Sequence, residues 1–375
     1  MGVLWLILGI IVFLTRTEGI RARSNILLFL TDDQDVFLDG MEPLQKTKKL
    51  LAEKGITFSN AFATTPVCCP SRASLLTGKY PHNTETINNT VAGNCGGQYW
   101  RTNGEMNTFA SILQKSGYET MYAGKYMNQY GTPEAGGIHQ VPVGWSQWNG
   151  LQGNSRYYNY KLSINGVEES HGEDYETDYL TDVIGRKAEG FLNSWNKSSP
   201  FLMVLATPAS HAPFTPAPQY KDNYANLTAP QIPSYNQQPG SSKHWFLRTE
   251  PQILSKSVRD SIDMVYRNRW RTLLSVDDLV SKTIHHLQDI GELANTYIIY
   301  TSDHGYHMGE FGLTIDKRQP YEFDIRVPLL IRGPNIPMNT TSNTPALLID
   351  LAPTILDMAG IKPSDDMDGV SLIAR

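Results

Sequence analysis

The sequence predicts an α/β protein built on a mainly parallel, doubly wound sheet flanked by helices. Continuous apolar runs of strand length, of which Asn25–Thr31 (NILLFLT) and Phe201–Ala206 (FLMVLA) are the clearest, are typical of strands buried on both faces. These runs alternate with segments of helical periodicity, which favours parallel strands joined by crossover helices. Charged residues and histidines follow several of the runs, and ligands of open α/β sheets bind at the carboxyl ends of strands. We therefore expect one site along that edge of the sheet.

The composition is that of a folded protein with a mildly acidic surface. The 375 residues are 40% hydrophobic and 18% charged, enough for one large core or two moderate ones. A net charge of −5 and a pI near 6.0 give no reason to expect nucleic-acid binding. An anionic substrate must therefore be bound by local cations.

The amino terminus has the pattern of a secretory signal peptide over residues 1–19, which leaves residues 20–375 as the mature domain. Val3–Leu14 is apolar but too short to span a bilayer, and Thr17 and Gly19 place small residues before a cut after Gly19. An uncleaved anchor is the alternative, because the usual positive residues at the start are missing. We expect no stable membrane insertion.

Four N-x-S/T sequons fit a glycoprotein of the secretory pathway, and they lie at Asn88, Asn196, Asn226 and Asn339. The chain also has three cysteines, and that compartment permits disulfides.

The first apolar run ends in the acidic sequence Asp32-Asp33-Gln34-Asp35. Carboxylates at the end of a buried strand are costly unless a cation or hydrogen bonds compensate them, and their hard oxygens suit Ca²⁺ or Mg²⁺. A solvated acidic turn is the alternative. A helix is predicted next, over Pro43–Lys54, with Gly55 as its stop.

The stretch Pro66–Tyr80 (PVCCPSRASLLTGKY) predicts a short helix with an unusual beginning. Pro70 suits a first helical turn, and the pattern predicts a helix over Ser71–Thr77. Cys68 then lies at or just before a helix N-terminus, where negative charge is favoured, and Arg72 adds a cation one turn away. This arrangement predicts an anion pocket beside a reactive sulfur. A buried cysteine pair with a surface arginine is the alternative.

The middle of the chain continues the alternation of helices and strands. A helix is predicted over Asn107–Ser116, with Asn107 or Thr108 as N-cap, and a strand over Tyr118–Tyr122 leads to Lys125. Residues 157–166 (YYNYKLSING) predict a hairpin that turns at Asn165-Gly166, followed by a helix over Tyr175–Trp195.

The second half carries two more polar groups after strand ends. His211 falls just beyond the run at 201–206, although a loop histidine is more often exposed than catalytic. Residues 215–256 are expected to form a long surface excursion, and a long helix follows over 258–289. The strand predicted over 294–302 ends at Asp303 and His304, an acid and an imidazole that suit a metal or a buried acid–base pair. One more strand, at 329–332, and one more helix, at 347–359, complete the pattern.

Several segments resemble the type I sulfatases. Cys68–Gly78 (CCPSRASLLTG) resembles the signature C-x-P-S-R-x-x-x-L-T-G, and Gly117–Tyr126 (GYETMYAGKY) resembles the second signature, G-Y-x-T-x-x-x-G-K-[WYF]. Further likenesses are Asp303-His304-Gly305, Lys317 with Tyr321–Pro328 (YEFDIRVP), and Asp368–Leu372 (DGVSL). The resemblance runs from about Asn25 to Ile373, nearly the whole mature chain.

This resemblance implies the alkaline-phosphatase-like sulfatase fold and a specific chemistry. In the family a formylglycine-generating enzyme oxidises the first cysteine of the signature, here Cys68, to formylglycine, whose hydrate is the nucleophile. One divalent cation, Ca²⁺ or alternatively Mg²⁺, is implied on Asp32, Asp33, Cys68, Asp303 and His304. Arg72, Lys125 and Lys317 are implied to hold both the sulfate and the nucleophile, and His211 to protonate the leaving alcohol. With Cys68 converted, Cys69 and Cys95 remain, and one disulfide is possible.

The resemblance is closest to the N-acetylglucosamine-6-sulfatase branch, which implies hydrolysis of the 6-sulfate of N-acetylglucosamine in heparan or keratan sulfate, in the lysosome lumen. Secretion is the alternative, because extracellular 6-O-endosulfatases share many of these motifs, although this chain lacks their long basic insertion.

Two departures from the family pattern stand out. Met127 replaces a histidine that many sulfatases carry, so the base that regenerates the aldehyde is not identified. The family's smaller C-terminal antiparallel-sheet domain is expected to be missing or truncated, so an inactive glycan-binding relative is the competing hypothesis.

Overall fold

The computed structural model describes residues 23–248 and 253–373. The predicted signal peptide lies outside the described residues. Among those ranges no helix combines the length and the apolar character needed to cross a membrane.

A twisted sheet of ten strands forms the centre of the molecule, in the order β13-β2-β12-β9-β1-β8-β4-β5-β6-β7. The strands are β1 (Asn25–Thr31), β2 (Ile56–Phe58), β3 (Ala61–Phe62), β4 (Glu119–Lys125), β5 (Gln147–Leu151), β6 (Tyr160–Ile164), β7 (Val167–His171), β8 (Phe201–Ala206), β9 (Thr296–Ser302), β10 (His307–Met308), β11 (Ile315–Asp316), β12 (Leu329–Arg332), β13 (Thr340–Ser342) and β14 (Ala346–Leu347). The five central strands β9, β1, β8, β4 and β5 are mutually parallel, whereas β12 on one side and the β6–β7 hairpin on the other are antiparallel to their neighbours. The predicted α/β class with a mainly parallel sheet is confirmed.

Helices cover both faces of the sheet. The α-helices of the described residues are α1 (Gln45–Thr47), α2 (Cys68–Thr77), α3 (Pro81–Thr84), α4 (Phe109–Lys115), α5 (Tyr175–Asp178), α6 (Leu180–Ser194), α7 (Lys256–Asp289), α8 (Glu322–Ile325) and α9 (Leu351–Met358). A π-helical turn, Lys48–Ala52, continues α1.

The core has two layers because side chains of the central strands alternate between the two faces of the sheet. Ile26, Leu28 and Leu30 of β1 pack in one apolar cluster, whose helical residues come from α2, α4 and α9. Leu27 and Phe29 point to the opposite cluster, which α6 and α7 cover. Since both faces are buried, a continuous apolar run such as β1 is the required sequence, which explains why these strands were predictable.

The register of the central strands places their carboxyl ends at one level. Leu30 of β1 lies opposite Ala206 of β8, and Thr31 lies opposite Ser302 of β9. On the other side of β8, Gly124 of β4 also pairs with Ala206. The residues that follow these positions in sequence must therefore come together at the same edge of the sheet.

Several predicted boundaries are wrong. Helix α2 begins at Cys68 rather than Ser71, because Pro70 is accommodated within the first turn. Strand β4 continues through Lys125, and Gly124 makes this possible by adopting a φ of 107°. The helix expected over 43–54 is limited to residues 45–52.

In two further segments tertiary packing, and not the periodicity of the sequence, determines the observed structure. The helix expected over 175–195 is broken at Tyr179, whose backbone is extended while its buried ring stacks on Tyr157. The excursion at 215–256 is not wholly on the surface, because Tyr235 and Leu254 are buried in a third apolar cluster beside α7.

Candidate active site

The free thiol of Cys68 lies at the beginning of α2 and is fully buried. Val67 precedes it in an extended conformation, and Gly78 ends the helix with a φ of 71°. Cys69 forms a disulfide with Cys95, with a Cα–Cα distance of 5.6 Å. The disulfide that the sequence left open is therefore present, and Cys68 is the thiol that remains for modification.

Three carboxylates face Cys68 from the ends of β1 and β9. Asp32 and Asp33 follow β1, and Asp303 follows β9 with its backbone nitrogen bonded to the Thr31 carbonyl at 3.2 Å. The Asp303 carboxylate accepts hydrogen bonds from the backbone nitrogens of Asp33, at 3.1 Å, and His304, at 2.9 Å. The two strand ends are thus joined directly through these side chains.

Three cations are interleaved with the carboxylates. Lys125 donates to Asp32 Oδ2 at 2.5 Å, and Lys317 donates to both carboxylate oxygens of Asp33 at 2.8 and 2.9 Å. Arg72 donates through Nε to Asp303 Oδ2 at 2.9 Å and through Nη1 to the Lys125 carbonyl at 2.7 Å. All three cations are buried. Buried charges of this kind require close partners, and here each cation has one.

The two histidines occupy different sides of the site. His304 is fully buried, and its Nε2 lies 3.3 Å from Cys68 Sγ. His211 is partly exposed on the loop after β8, with Nε2 3.9 Å from Asp33 Oδ2 and Nδ1 2.7 Å from the Ala212 carbonyl oxygen. His211 is therefore placed to reach a group that enters the site from solvent.

The surrounding charges favour an anion at position 68. Burial raises the pKa of the Cys68 thiol, but the two lysines and His304 outweigh it and lower that pKa to about 6. Burial also raises the pKa of Asp33, yet Lys317 above all brings it down to about 2. Asp33 is therefore ionised at neutral pH, as is Asp32, whose pKa, despite its burial, is also lowered by the neighbouring cations, and negative charge at position 68 is stabilised.

The donor atoms fit a divalent cation. Ligand atoms of Asp32, Cys68, Asp303 and His304 lie within 4.8 Å of one another, and so do those of Asp32, Asp33, Cys68 and His211. Asp32 Oδ1 is buried and accepts no hydrogen bond from the described residues. Arg72 Nη2 lies 3.7 Å from this oxygen, beyond hydrogen-bond distance. A buried carboxylate oxygen without a hydrogen bond is costly, and a hard cation is the partner that this donor set suits.

The catalytic and metal-binding residues expected from the sequence therefore lie close together at this edge of the sheet, and two neighbours, Ser155 and Arg269, were missed. Ser155 donates its hydroxyl to Asp32 Oδ2, and Arg269 of α7 donates to the Asp33 carbonyl at 2.8 Å. Ser155 follows β5, a strand that has no apolar run and was not predicted. Arg269 occupies a buried position of α7, and a charged residue within an apolar helical stripe was the available signal.

Met127, by contrast, is fully buried in the apolar cluster that contains α2. The position where many sulfatases carry a histidine thus contributes no titratable group. Two other histidines are close in sequence to segments of the site. Nδ1 of His307 lies 3.0 Å from Asp324 Oδ1, and the ring of His82 stacks on Tyr80 at the surface.

Fold and site together define an α/β protein in which a buried thiol, three carboxylates and three cations lie together at the carboxyl edge of a mainly parallel sheet. The chain belongs to the sulfatase family, whose sequence profile, described as Sulfatase, matches residues 24–361.

Individual relatives agree with this assignment. The chain is 53% identical over 353 residues to an N-acetylglucosamine-6-sulfatase of Homo sapiens, an alignment that covers 94% of this chain and 64% of that protein. It is 43% identical over 355 residues to an extracellular sulfatase SULF-1 homolog of Drosophila melanogaster, with 94% of this chain and 31% of that protein covered. The chain thus spans less than two thirds of the length of either relative.

A solved structure shows the same fold. It is described as a complex with its substrate D-glucosamine-2-N,6-O-disulfate, and it matches with a TM-score of 0.74 at 28% sequence identity. The match covers 93% of this chain and 79% of that one.

Proposed function

We propose that this chain carries the catalytic site of a sulfatase that hydrolyses the 6-sulfate ester of N-acetylglucosamine in a sulfated glycosaminoglycan, heparan or keratan sulfate. The observation that carries the proposal is the buried thiol of Cys68, at a helix N-terminus and enclosed by cations and ionised carboxylates. The 53% identity to a human N-acetylglucosamine-6-sulfatase supports the choice of ester.

Two groups complete the site in this proposal. A formylglycine-generating enzyme converts Cys68 to formylglycine, which supplies a hydrated aldehyde as nucleophile. Asp32, Asp33, Asp303, His304 and the modified residue 68 hold one Ca²⁺, or Mg²⁺ as the alternative, which supplies positive charge beside the nucleophile and the sulfate. The fit of the donor atoms and the orphaned Asp32 oxygen support the cation site.

The chain's own residues act on the substrate as follows. Arg72, Lys125 and Lys317 bind and orient the sulfate group, and their positive charge offsets the charge that grows on oxygen as the S–O bond breaks. His211, on the solvent side, protonates the leaving alcohol. The enclosure of residue 68 keeps bulk water away from the reacting sulfur and strengthens these interactions.

The cellular setting is part of the proposal. Residues 1–19 act as a signal peptide, and residues 20–375 form the catalytic domain. The four sequon asparagines, Asn88, Asn196, Asn226 and Asn339, are all exposed and are proposed as glycosylation sites. We place the protein in the lysosome lumen, with secretion as the alternative that the extracellular Drosophila relative supports.

The test is release of sulfate from a defined 6-sulfated N-acetylglucosamine disaccharide by protein made in a eukaryotic host. Cys68→Ala is expected to abolish release. Cys69→Ala, which removes the neighbouring sulfur and its disulfide to Cys95, is expected to retain measurable release. Mass spectrometry of the tryptic peptide around Cys68 reports the aldehyde. An unmodified thiol in active protein, or equal activity of Cys68→Ala, would rule the mechanism out.

A second candidate is a relative that binds sulfated glycans without turnover, and the buried Met127 in place of a histidine favours it. Binding of the disaccharide without release of sulfate, by protein with a verified formylglycine, would establish this function. An extracellular 6-O-endosulfatase is distinguished by cleavage of internal sulfates in longer oligosaccharides.

A further inference from the structure

We propose that Arg269 is a positioning residue that fixes the carboxylate turn, residues Asp32–Asp35, in the geometry needed to bind the divalent cation. The inference rests on the cation site of the proposed function. Arg269 does not contact the proposed ligand oxygens, so it acts through the turn and not on the reacting atoms.

The contacts of Arg269 are buried and specific. Its Nη2 donates to the Asp33 carbonyl at 2.8 Å and to Asp35 Oδ1 at 2.7 Å. Only 2% of Arg269 and 2% of Asp35 is exposed. The other oxygen of Asp35 accepts from the Leu38 backbone nitrogen at 2.8 Å, so the carboxylate joins the guanidinium to the segment that follows the turn.

The backbone at Asp33 is held by contacts to each of its polar groups. Asp33 has a φ of 64°, in the left-handed region that, apart from glycine, mainly asparagine and aspartate adopt. Lys317 binds its carboxylate and Asp303 accepts from its backbone nitrogen. Arg269 binds the remaining polar group of this residue, the carbonyl, and thereby opposes rotation of the following peptide.

Charge gives Arg269 a second role. Asp35 brings a further negative charge next to Asp32 and Asp33, and like charges in a buried site repel. Arg269 neutralises Asp35 from the α7 side, which leaves the oxygens of Asp32 and Asp33 directed toward Cys68 and the lysines. The turn can then be densely acidic without one carboxylate displacing another.

Tyr306 links Arg269 to a cation of the active site. The guanidinium carbon lies 4.5 Å from the centroid of the Tyr306 ring, and Lys317 Nζ lies 5.5 Å from the same centroid. Both cations are within the range of a cation–π contact. A change at Arg269 is therefore transmitted to Asp33 along two routes, its carbonyl and the Tyr306–Lys317 pair.

In the experiment, Ca²⁺ is titrated into the full chain of wild type and of Arg269→Met. Calorimetry and the shift in melting temperature each give the affinity for Ca²⁺. Loss of a residue that orients metal ligands typically weakens metal affinity by roughly 10- to 100-fold, and we expect a loss in this range. Arg267→Met is the matched control, since Arg267 lies on the same helix and donates instead to the Leu227 carbonyl at 2.8 Å. Its affinity is expected to equal that of wild type.

A second readout separates positioning from a general structural role. The kcat for sulfate release by Arg269→Met is expected to recover toward the wild-type value at saturating Ca²⁺, because Arg269 affects catalysis only through cation binding. Should Arg269→Met not fold, Arg269→Lys, which keeps the charge but has a shorter side chain and no planar guanidinium over the Tyr306 ring, is expected to fold and to bind Ca²⁺ more weakly than wild type.

The outcomes distinguish the two proposals. Wild type that shows no Ca²⁺- or Mg²⁺-dependent stabilisation contradicts the cation site of the proposed function. A second outcome is that wild type binds Ca²⁺ and the Arg269 variant binds it with unchanged affinity but is less stable. That outcome overturns the role proposed for Arg269 and leaves the proposed function intact.

Discussion

Glu105 makes the stability of this protein depend on pH, and its replacement by glutamine tests the effect. The side chain is 4% exposed and accepts one hydrogen bond, from the Val143 backbone nitrogen at 3.2 Å. Arg101, whose charge offsets only part of the effect of burial on the pKa of Glu105, donates its guanidinium hydrogen bond to the Ala135 carbonyl. Burial accordingly raises the pKa of Glu105 from 4.5 to about 7.

The sign and size of the effect follow from this pKa. Between pH 4.5 and about 7 the folded state holds a proton that the unfolded state has released, so the free energy of unfolding falls as pH rises. Above pH 7 the folded state must bury the charge, at a cost of about 3 kcal/mol. Below pH 4.5 the carboxyl is neutral in both states and the cost disappears. Glu105→Gln keeps the acceptor for Val143 and removes the charge.

The assay is urea denaturation of wild type and Glu105→Gln at pH 5 and pH 8. The variant is expected to match wild type within about 1 kcal/mol at pH 5 and to be more stable by up to about 3 kcal/mol at pH 8. Glu134→Gln, at an exposed position, controls for removal of one negative charge. A stability difference between variant and wild type that is the same at both pH values would refute the reasoning. The expected direction favours an acidic compartment, as the proposed lysosomal location requires.

Three further perturbations test the site and its supports. Chelation of divalent cations is expected to lower the melting temperature, and restoring a cation at 100 times its dissociation constant adds about 2.7 kcal/mol; an unchanged transition would contradict a cation held by Asp32 and Asp33. Cys95→Ala removes a disulfide that joins residues 26 apart and is expected to cost about 3 kcal/mol in urea denaturation, and the loss should vanish when both proteins are compared under reducing conditions. Gly124→Ala places a Cβ 1.9 Å from the Ala206 carbonyl oxygen at a φ of 107°, so we expect a loss of about 3 kcal/mol or more, and wild-type stability would show that β4 tolerates a shift there.

The sequence predicted the parts of the fold whose cause is local. Strands β1 and β8 were found at their observed bounds, because a strand buried on both faces must be apolar throughout. Strand β5 (QWNGL) was missed, since Asn149 and Gly150 interrupt any apolar run. Its place in the sheet is set by pairing with β4 and β6, which a local pattern does not show.

Some residues of the site could likewise be predicted from a local sequence pattern, and others could not. Cys68, Arg72 and the residues after strand ends were predictable, because a helix start and the end of a buried strand can each be read from a short segment. Ser155 and Arg269 were not, since their partner in the carboxylate turn lies 123 and 236 residues away in sequence. The sequence did not identify a proton acceptor for the proposed regeneration of the aldehyde, because Met127 stands where many sulfatases carry a histidine.

The charges of the site explain why cation and substrate should bind together. Asp32, Asp33 and Asp303 are matched by the three interleaved cations Arg72, Lys125 and Lys317, so the charges of these six side chains cancel. A divalent cation bound to these carboxylates leaves the site with two positive charges in a buried volume. The negative charge of one sulfate monoester offsets part of that excess. Each ligand therefore lowers the electrostatic cost of the other, and by reciprocity inorganic sulfate should raise the affinity of the chain for Ca²⁺.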